Sequence, residues 1–146
     1  MAFLNSLNIA GSGLTASRLR MDIISENIAN YSTTKTEDGG PYRRKTVVYE
    51  AIEDRSFGSI LKDSINGKQT NAGVQVSAII EDPSDFNYVY NPTHPDADED
   101  GYVAMPNVDI TQEMLDMMSV TRVYDMNINA LNSMKNMAAK ALEIGR

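Results

Sequence analysis

Three stretches of this chain carry residue types that could do chemistry. Gly11-Ser12-Gly13-Leu14-Thr15-Ala16 fits the G-x-G-x-x-A pattern that brings a dinucleotide pyrophosphate to a helix N-terminus. Glu37 or Asp38 then stands about twenty residues on, where a ribose ligand would be needed. Asp96-Ala97-Asp98-Glu99-Asp100-Gly101 repeats the first half of a calcium-binding loop, with Val103 apolar at the eighth place. Thr93-His94-Pro95 holds the only histidine. Cysteine is absent, which excludes disulfides, thiolate catalysis and zinc–thiolate sites together.

Each candidate needs a setting that its neighbours deny. The dinucleotide fingerprint sits between a strand and a helix, but here an apolar helical pattern runs straight through both glycines and no βαβ unit follows. In the calcium loop the bidentate glutamate of the twelfth place is Asn107, Pro106 precedes it, and Pro92 and Pro95 bar an entering helix. That run reads as a solvated acidic turn. His94 has no nucleophile or orienting group beside it, and Ala10 and Leu14 stand where a G-x-S-x-G elbow around Ser12 needs glycine. The expectation is a chain with no catalytic residue, no cofactor and no metal site.

What the sequence does specify is two long helices. Phe3, Leu7, Ala10, Leu14, Ser17, Met21, Ile24, Ile28 and Tyr31 recur at steps of four and three. Met114, Met117, Thr121, Tyr124, Ile128, Leu131, Lys135, Ala138 and Leu142 do the same, with two polar interruptions. A 3.5-residue period is that of a coiled-coil seam. The first helix is expected over about 3–30. The second begins at Asp109 or Thr111, either of which can cap it, carries Glu113 in its dipole-favoured first turn, and ends at Gly145. Gly11 and Gly13 each cost about 1 kcal/mol in a helix interior. Their unbroken phase points to a close backbone approach or a soft point. The assembly seam is read as Leu7, Ala10, Leu14, Met21, Ile24 and Ile28 against Met117, Tyr124, Ile128, Leu131, Ala138 and Leu142.

Between the helices the pattern changes. Residues 43–52, 74–80 and 86–90 carry strand signals, with turn signals at Asn66-Gly67 and Ala72-Gly73, and 91–107 holds three prolines. The basic triplet Arg43-Arg44-Lys45 heads the first strand and reads as edge-strand charge. The predicted fold is therefore α+β: an antiparallel, coiled-coil-like hairpin of terminal helices around a small β-rich insert, divided as 1–34, 35–107 and 108–146. Net charge is −7 overall, and residues 35–107 alone hold seven cations against thirteen carboxylates. An acidic middle beside near-neutral ends suits helices that pack with their own kind, and it opposes nucleic acid as a partner. Neither a positively charged leader nor an apolar run of membrane-spanning length is visible, so no membrane insertion is expected.

One string is unusual for a helix end: Ser25-Glu26-Asn27-Ile28-Ala29-Asn30, followed by Ser32-Thr33-Thr34. Asn27 and Asn30 can hydrogen-bond free carbonyls or another chain's backbone there. The N-I-A-N-x-x-T run of Asn27, Ile28, Ala29, Asn30 and Thr33 resembles the signature of the bacterial flagellar rod and hook protein family. Residues 36–44 (T-E-D-G-G-P-Y-R-R), 94–108 (H-P-D-A-D-E-D-G-Y-V-A-M-P-N-V) and 142–145 (L-E-I-G) resemble the C-type basal-body rod proteins within it.

The resemblance implies a structural subunit of the proximal rod, the drive shaft that carries motor torque across the periplasm. It implies export by the flagellar type III apparatus without a cleaved signal peptide. The implied partners are further copies of the chain, rod proteins of the B, F and G types, and the E-type hook–basal-body adaptor. The alternative from the residues alone is a soluble coiled-coil adaptor; within the resemblance it is another axial subunit of the rod and hook.

Overall fold

The computed structural model describes residues 2–37, 39–53 and 71–144, together with Gly58, Leu61 and Ile65. The expected turn at Asn66-Gly67, the helix stop at Gly145, Asp38 and the Phe3 side chain lie outside the described residues. The elements in chain order are α1 (Ala2–Ala29), β1 (Lys45–Glu53), β2 (Asn71–Glu81), β3 (Asn87–Tyr90), β4 (Tyr102–Met105) and α2 (Ile110–Ile144). The fold is α+β: two long helices that pair antiparallel, with a small β insert between them in chain order.

Helix α2 runs 35 residues without glycine or proline, about 50 Å at the α-helical rise. Its N-cap is Asp109, whose Oδ1 accepts the Thr111 and Gln112 amides at 2.8 and 3.4 Å. Helix α1 ends through Asn30, whose Nδ2 donates to the Glu26 carbonyl at 3.0 Å, while Thr33 Oγ1 donates to Asn30 Oδ1 at 3.1 Å. Strands β1 and β2 form one two-stranded sheet and β3 and β4 another. Strand β4 has no counterpart in the sequence reading. Tyr102-Val103-Ala104-Met105 is too short, and too close to Pro106, to show an alternating pattern alone. It forms because Asn87–Tyr90 supplies an antiparallel partner, with Tyr90 opposite Tyr102 and Val89 opposite Val103.

The chain divides into two compact units. One comprises Met1–Leu19, Val48–Ala78 and Thr121–Arg146; the other comprises Arg20–Val47 and Ile79–Val120. In the first unit the helices approach closely at Gly13, where an added Cβ would lie 3.1 Å from Asn127 Nδ2. Gly11 has open space around it and the neighbour at Gly13 is a side chain, so the expected close approach of a backbone is found at neither glycine. In the second unit the core gathers Ile23 and Ile24 of α1, Tyr42, Val103 and Val108, with Val120 of α2. Here Asn27 meets Glu113 and Arg20 lies beside Asp116, which sets the antiparallel sense of the helix pair.

Ala72-Gly73 is not a turn but part of β2. The Gly73 backbone has φ +139, and a Cβ there would collide with the Ser12 hydroxyl. That hydroxyl donates to the Ile9 carbonyl at 2.8 Å and accepts the Val74 amide at 3.1 Å, so the strand is pinned directly onto the helix. Replacing Gly73 by alanine combines a left-handed backbone with a steric collision. Gly73→Ala is expected to destabilise the subunit by about 1–3 kcal/mol in denaturant unfolding. An unchanged midpoint would contradict this reading of the contact.

Candidate functional site

The signature asparagine Asn27 lies in the last turn of α1 and is only 1% exposed. A carboxamide offers two N–H donors and two acceptor positions on its oxygen. All four are used. Nδ2 donates to the Lys45 carbonyl at 2.9 Å and to Glu113 Oε2 at 3.1 Å. Oδ1 accepts the Lys45 amide at 3.0 Å and the Tyr42 hydroxyl at 2.9 Å. The side chain thus pairs with both backbone groups of Lys45, as a neighbouring strand would, at the first residue of β1. Its partner is a strand of its own chain.

Tyr42 is buried, and its hydroxyl pKa is held above the ordinary 10.0. Burial is the main cause, followed by the nearby negative charges of Glu26 and Glu113. Glu113 is also 1% exposed, so its charge needs a partner. Arg44 Nε supplies it at 2.6 Å. The same guanidinium lies 3.5 Å from Asp82 and 3.6 Å from Asp116. Burial pulls the Arg44 pKa down, but the hydrogen bond and charge of Glu113, then Asp82 and Asp116, outweigh it and raise the value. Asp82 is held below the usual carboxylate range, chiefly by the Ser84 amide and hydroxyl, with Arg44 adding to the effect.

The basic triplet is therefore not edge charge; each member points to a different partner. Arg43 stacks 4.3 Å above the Phe86 ring and donates to the Asp82 and Ser84 carbonyls. Arg44 goes to Glu113, and Lys45 Nζ meets Glu26 Oε1 at 2.6 Å. Asn107, which stands where a calcium loop would need glutamate, accepts the Arg44 amide and donates to Asp82 and Ser84. The acidic turn is organised by Asp98, whose Oδ1 accepts the Asp100 and Tyr102 amides. Among the described residues no group of carboxylates and histidine has the arrangement of a metal site.

Ala10 and Ile24 of the expected seam are buried, and Leu7, Leu14, Met21 and Ile28 are half-buried. On α2, Met117, Tyr124, Ile128, Leu131 and Ala138 are half-buried, whereas Leu142 is 78% exposed. Of the signature residues, Asn30 and Thr33 close the helix end and Ala29 is exposed. The site residues that sequence reasoning missed are Tyr42, Arg44, Lys45 and Glu113. One signal pointed to the last: Glu113, Met117, Val120 and Tyr124 are spaced by four, three and four, so the carboxylate shares the covered face. Starting the seam at the exposed Met114 hid that phase.

Two variants test this network. Asn27→Leu leaves the Lys45 amide and carbonyl without the partner that closes them, and should cost about 2–4 kcal/mol in denaturant unfolding. A loss below the noise of the measurement would remove Asn27 from its central place. For Tyr42 the sign follows from its raised folded-state pKa. Its contribution is complete below about 10 and is lost as pH rises, because the unfolded chain ionises first. Tyr42→Phe should therefore be less stable than the parent chain at pH 7 by about 1 kcal/mol, and the gap should narrow above pH 10. A gap that widens in alkali would contradict the assignment.

Comparison with known proteins matches the two helical ends. Residues 7–35 fit the family described as flagella basal body rod protein, and residues 99–144 fit the flagellar basal body rod FlgEFG protein C-terminal family. Over the full length the chain is 48% identical to the flagellar basal-body rod protein FlgC of Bacillus subtilis, covering all of both chains. It is 42% identical to the protein of that name from Borreliella burgdorferi, over 99% of this chain and 98% of the relative. The Salmonella typhimurium protein of that name is 40% identical, again over all of both chains. With end-to-end identity at this level, and the signature asparagine at the centre of its helix–strand junction, the chain belongs to the FlgC family of flagellar basal-body rod proteins.

Proposed function

We propose that the paired terminal helices are the polymerising element of this rod subunit, with 1–34 and 108–146 building the shaft that transmits motor torque and 35–107 forming the middle part. The observation that carries the reading is the coincidence of two features. The segments matching rod families, 7–35 and 99–144, contain most of α1 and α2. A structural role in the flagellar basal body follows from the family, and general rod and hook–basal-body partners follow with it. The finer assignments belong to the proposal. They are further copies of this chain, rod proteins of the B, F and G types, the E-type adaptor, passage through the flagellar type III export apparatus without signal-peptide cleavage, and a place where the rod crosses the periplasm.

Leu14 and Leu131 are half-buried seam residues, and each contributes about 1.5–3 kcal/mol if its apolar surface is fully withdrawn from water. An aspartate there adds the larger cost of a desolvated, unpaired charge, and a polymer repeats that cost in every copy. Leu14→Asp and Leu131→Asp should each abolish swimming in a strain carrying only the variant, with secretion of the subunit measured separately. Asp98→Asn is the control. The amide keeps an oxygen to accept the Asp100 and Tyr102 amides, so swimming should persist. Normal swimming by either leucine variant would sink the seam assignment.

A further inference from the structure

Among the exposed surfaces of the described residues, two have complementary chemistries. The first is one face of the β3–β4 ribbon, where alternation and register bring Tyr88, Tyr90 and Tyr102 to the same side. They are 65%, 64% and 45% exposed, and Tyr90 and Tyr102 meet edge to face with ring centroids 5.3 Å apart. Around them, residues 81–107 hold seven carboxylates and neither lysine nor arginine.

The second surface is a row on α2. Arg122, Met126, Asn129, Ser133, Met137 and Lys140 follow one another at steps of three and four, and all six are exposed. They lie away from the covered seam positions Tyr124, Ile128 and Leu131. The row has a cation at each end, two methionines between, and no carboxylate. Thioether–aromatic contacts, cation–π contacts and ion pairs are the three attractions that such a row and such a ribbon can form together.

We propose that the tyrosine face of the β3–β4 ribbon docks on the Arg122–Lys140 row of α2 in a second copy of this chain. The proposal rests on the rod-subunit reading and deepens it by assigning which faces meet. Like pairing is disfavoured on both sides: two acidic ribbons repel, and two cation-ended rows repel. The contact is therefore heterologous, one surface meeting a different one, which is the kind that propagates along an assembly instead of closing a dimer.

The test uses a photoreactive benzoyl-phenylalanine in place of Tyr90, in a strain carrying only that copy, with irradiation of purified hook–basal bodies. The expected result is a two-copy adduct whose linked peptide falls within residues 121–140. An adduct to a different basal-body protein, or to another segment of this chain, overturns the proposal. So does the absence of any adduct from basal bodies that contain the subunit. Should the substitution itself block assembly, charge exchange decides. Glu99→Lys with Asp100→Lys, and separately Arg122→Glu with Lys140→Glu, should each lose swimming, and the four changes together should restore it. Failure to restore overturns the contact. Whether the parent chain is present in purified basal bodies tests the rod-subunit reading independently of either outcome.

Discussion

A helix can be joined to a strand at a fixed register only if some group on the helix recognises the strand backbone, because apolar packing alone has no direction. Asn27 is that group here. Its amide closes a ring of hydrogen bonds with both backbone groups of Lys45, and its remaining donor and acceptor capacity goes to Glu113 and Tyr42. No other neutral side chain of this length offers two donors and two acceptor positions from one planar group. Aspartate would place a second carboxylate beside Glu113, and leucine would leave the start of β1 open. Helix α1, strand β1 and helix α2 are thereby referred to a single point.

The charges around that point are arranged to be tolerable. A carboxylate as buried as Glu113 would be strongly unfavourable alone, and removing one member of a buried pair costs about 3–5 kcal/mol. Arg44 answers it at 2.6 Å while remaining partly open to solvent and within reach of Asp82 and Asp116. Arg44 and, at the edge, Arg20 face three carboxylates, so the cluster keeps one excess negative charge, and the partly exposed Asp82 and Asp116 carry it toward water. Among the described residues no buried side-chain nitrogen or oxygen lacks a partner. The polar centre therefore gives direction to the junction without leaving unpaired groups in the core.

The helices were legible in the sequence because a 3.5-residue apolar repeat has few other meanings, and positions 10 and 24 are indeed buried. The strand signals in 43–52 and 74–80 correspond to β1 and β2, although Ala72-Gly73 lies inside β2, where glycine serves a close approach to Ser12 and not a turn. Strand β4 was hidden because its partner, not its own pattern, determines it. The site was half legible. Asn27 and Asn30 stood out as a string, but their partners lie far away in sequence, and nothing local in Arg43-Arg44-Lys45 shows that three adjacent cations take three separate partners. Local pattern reports which face is covered; it does not report what covers it.

The separation along the chain between the members of the network has a temporal consequence. Asn27 and Lys45 are 18 residues apart, but Asn27 and Glu113 are 86 apart. Any process that delivers the polypeptide from its N-terminus, whether a ribosome or a narrow secretion channel, releases Asn27 long before its second anchor exists. Until residue 113 emerges, the end of α1 can hold the start of β1 but has no α2 carboxylate to bind, and Arg44 has lost its closest counter-charge. Commitment to the native arrangement is thereby deferred until most of the chain is free. A chain wired in this way leaves its first helix without its α2 anchor until residue 113 has been delivered.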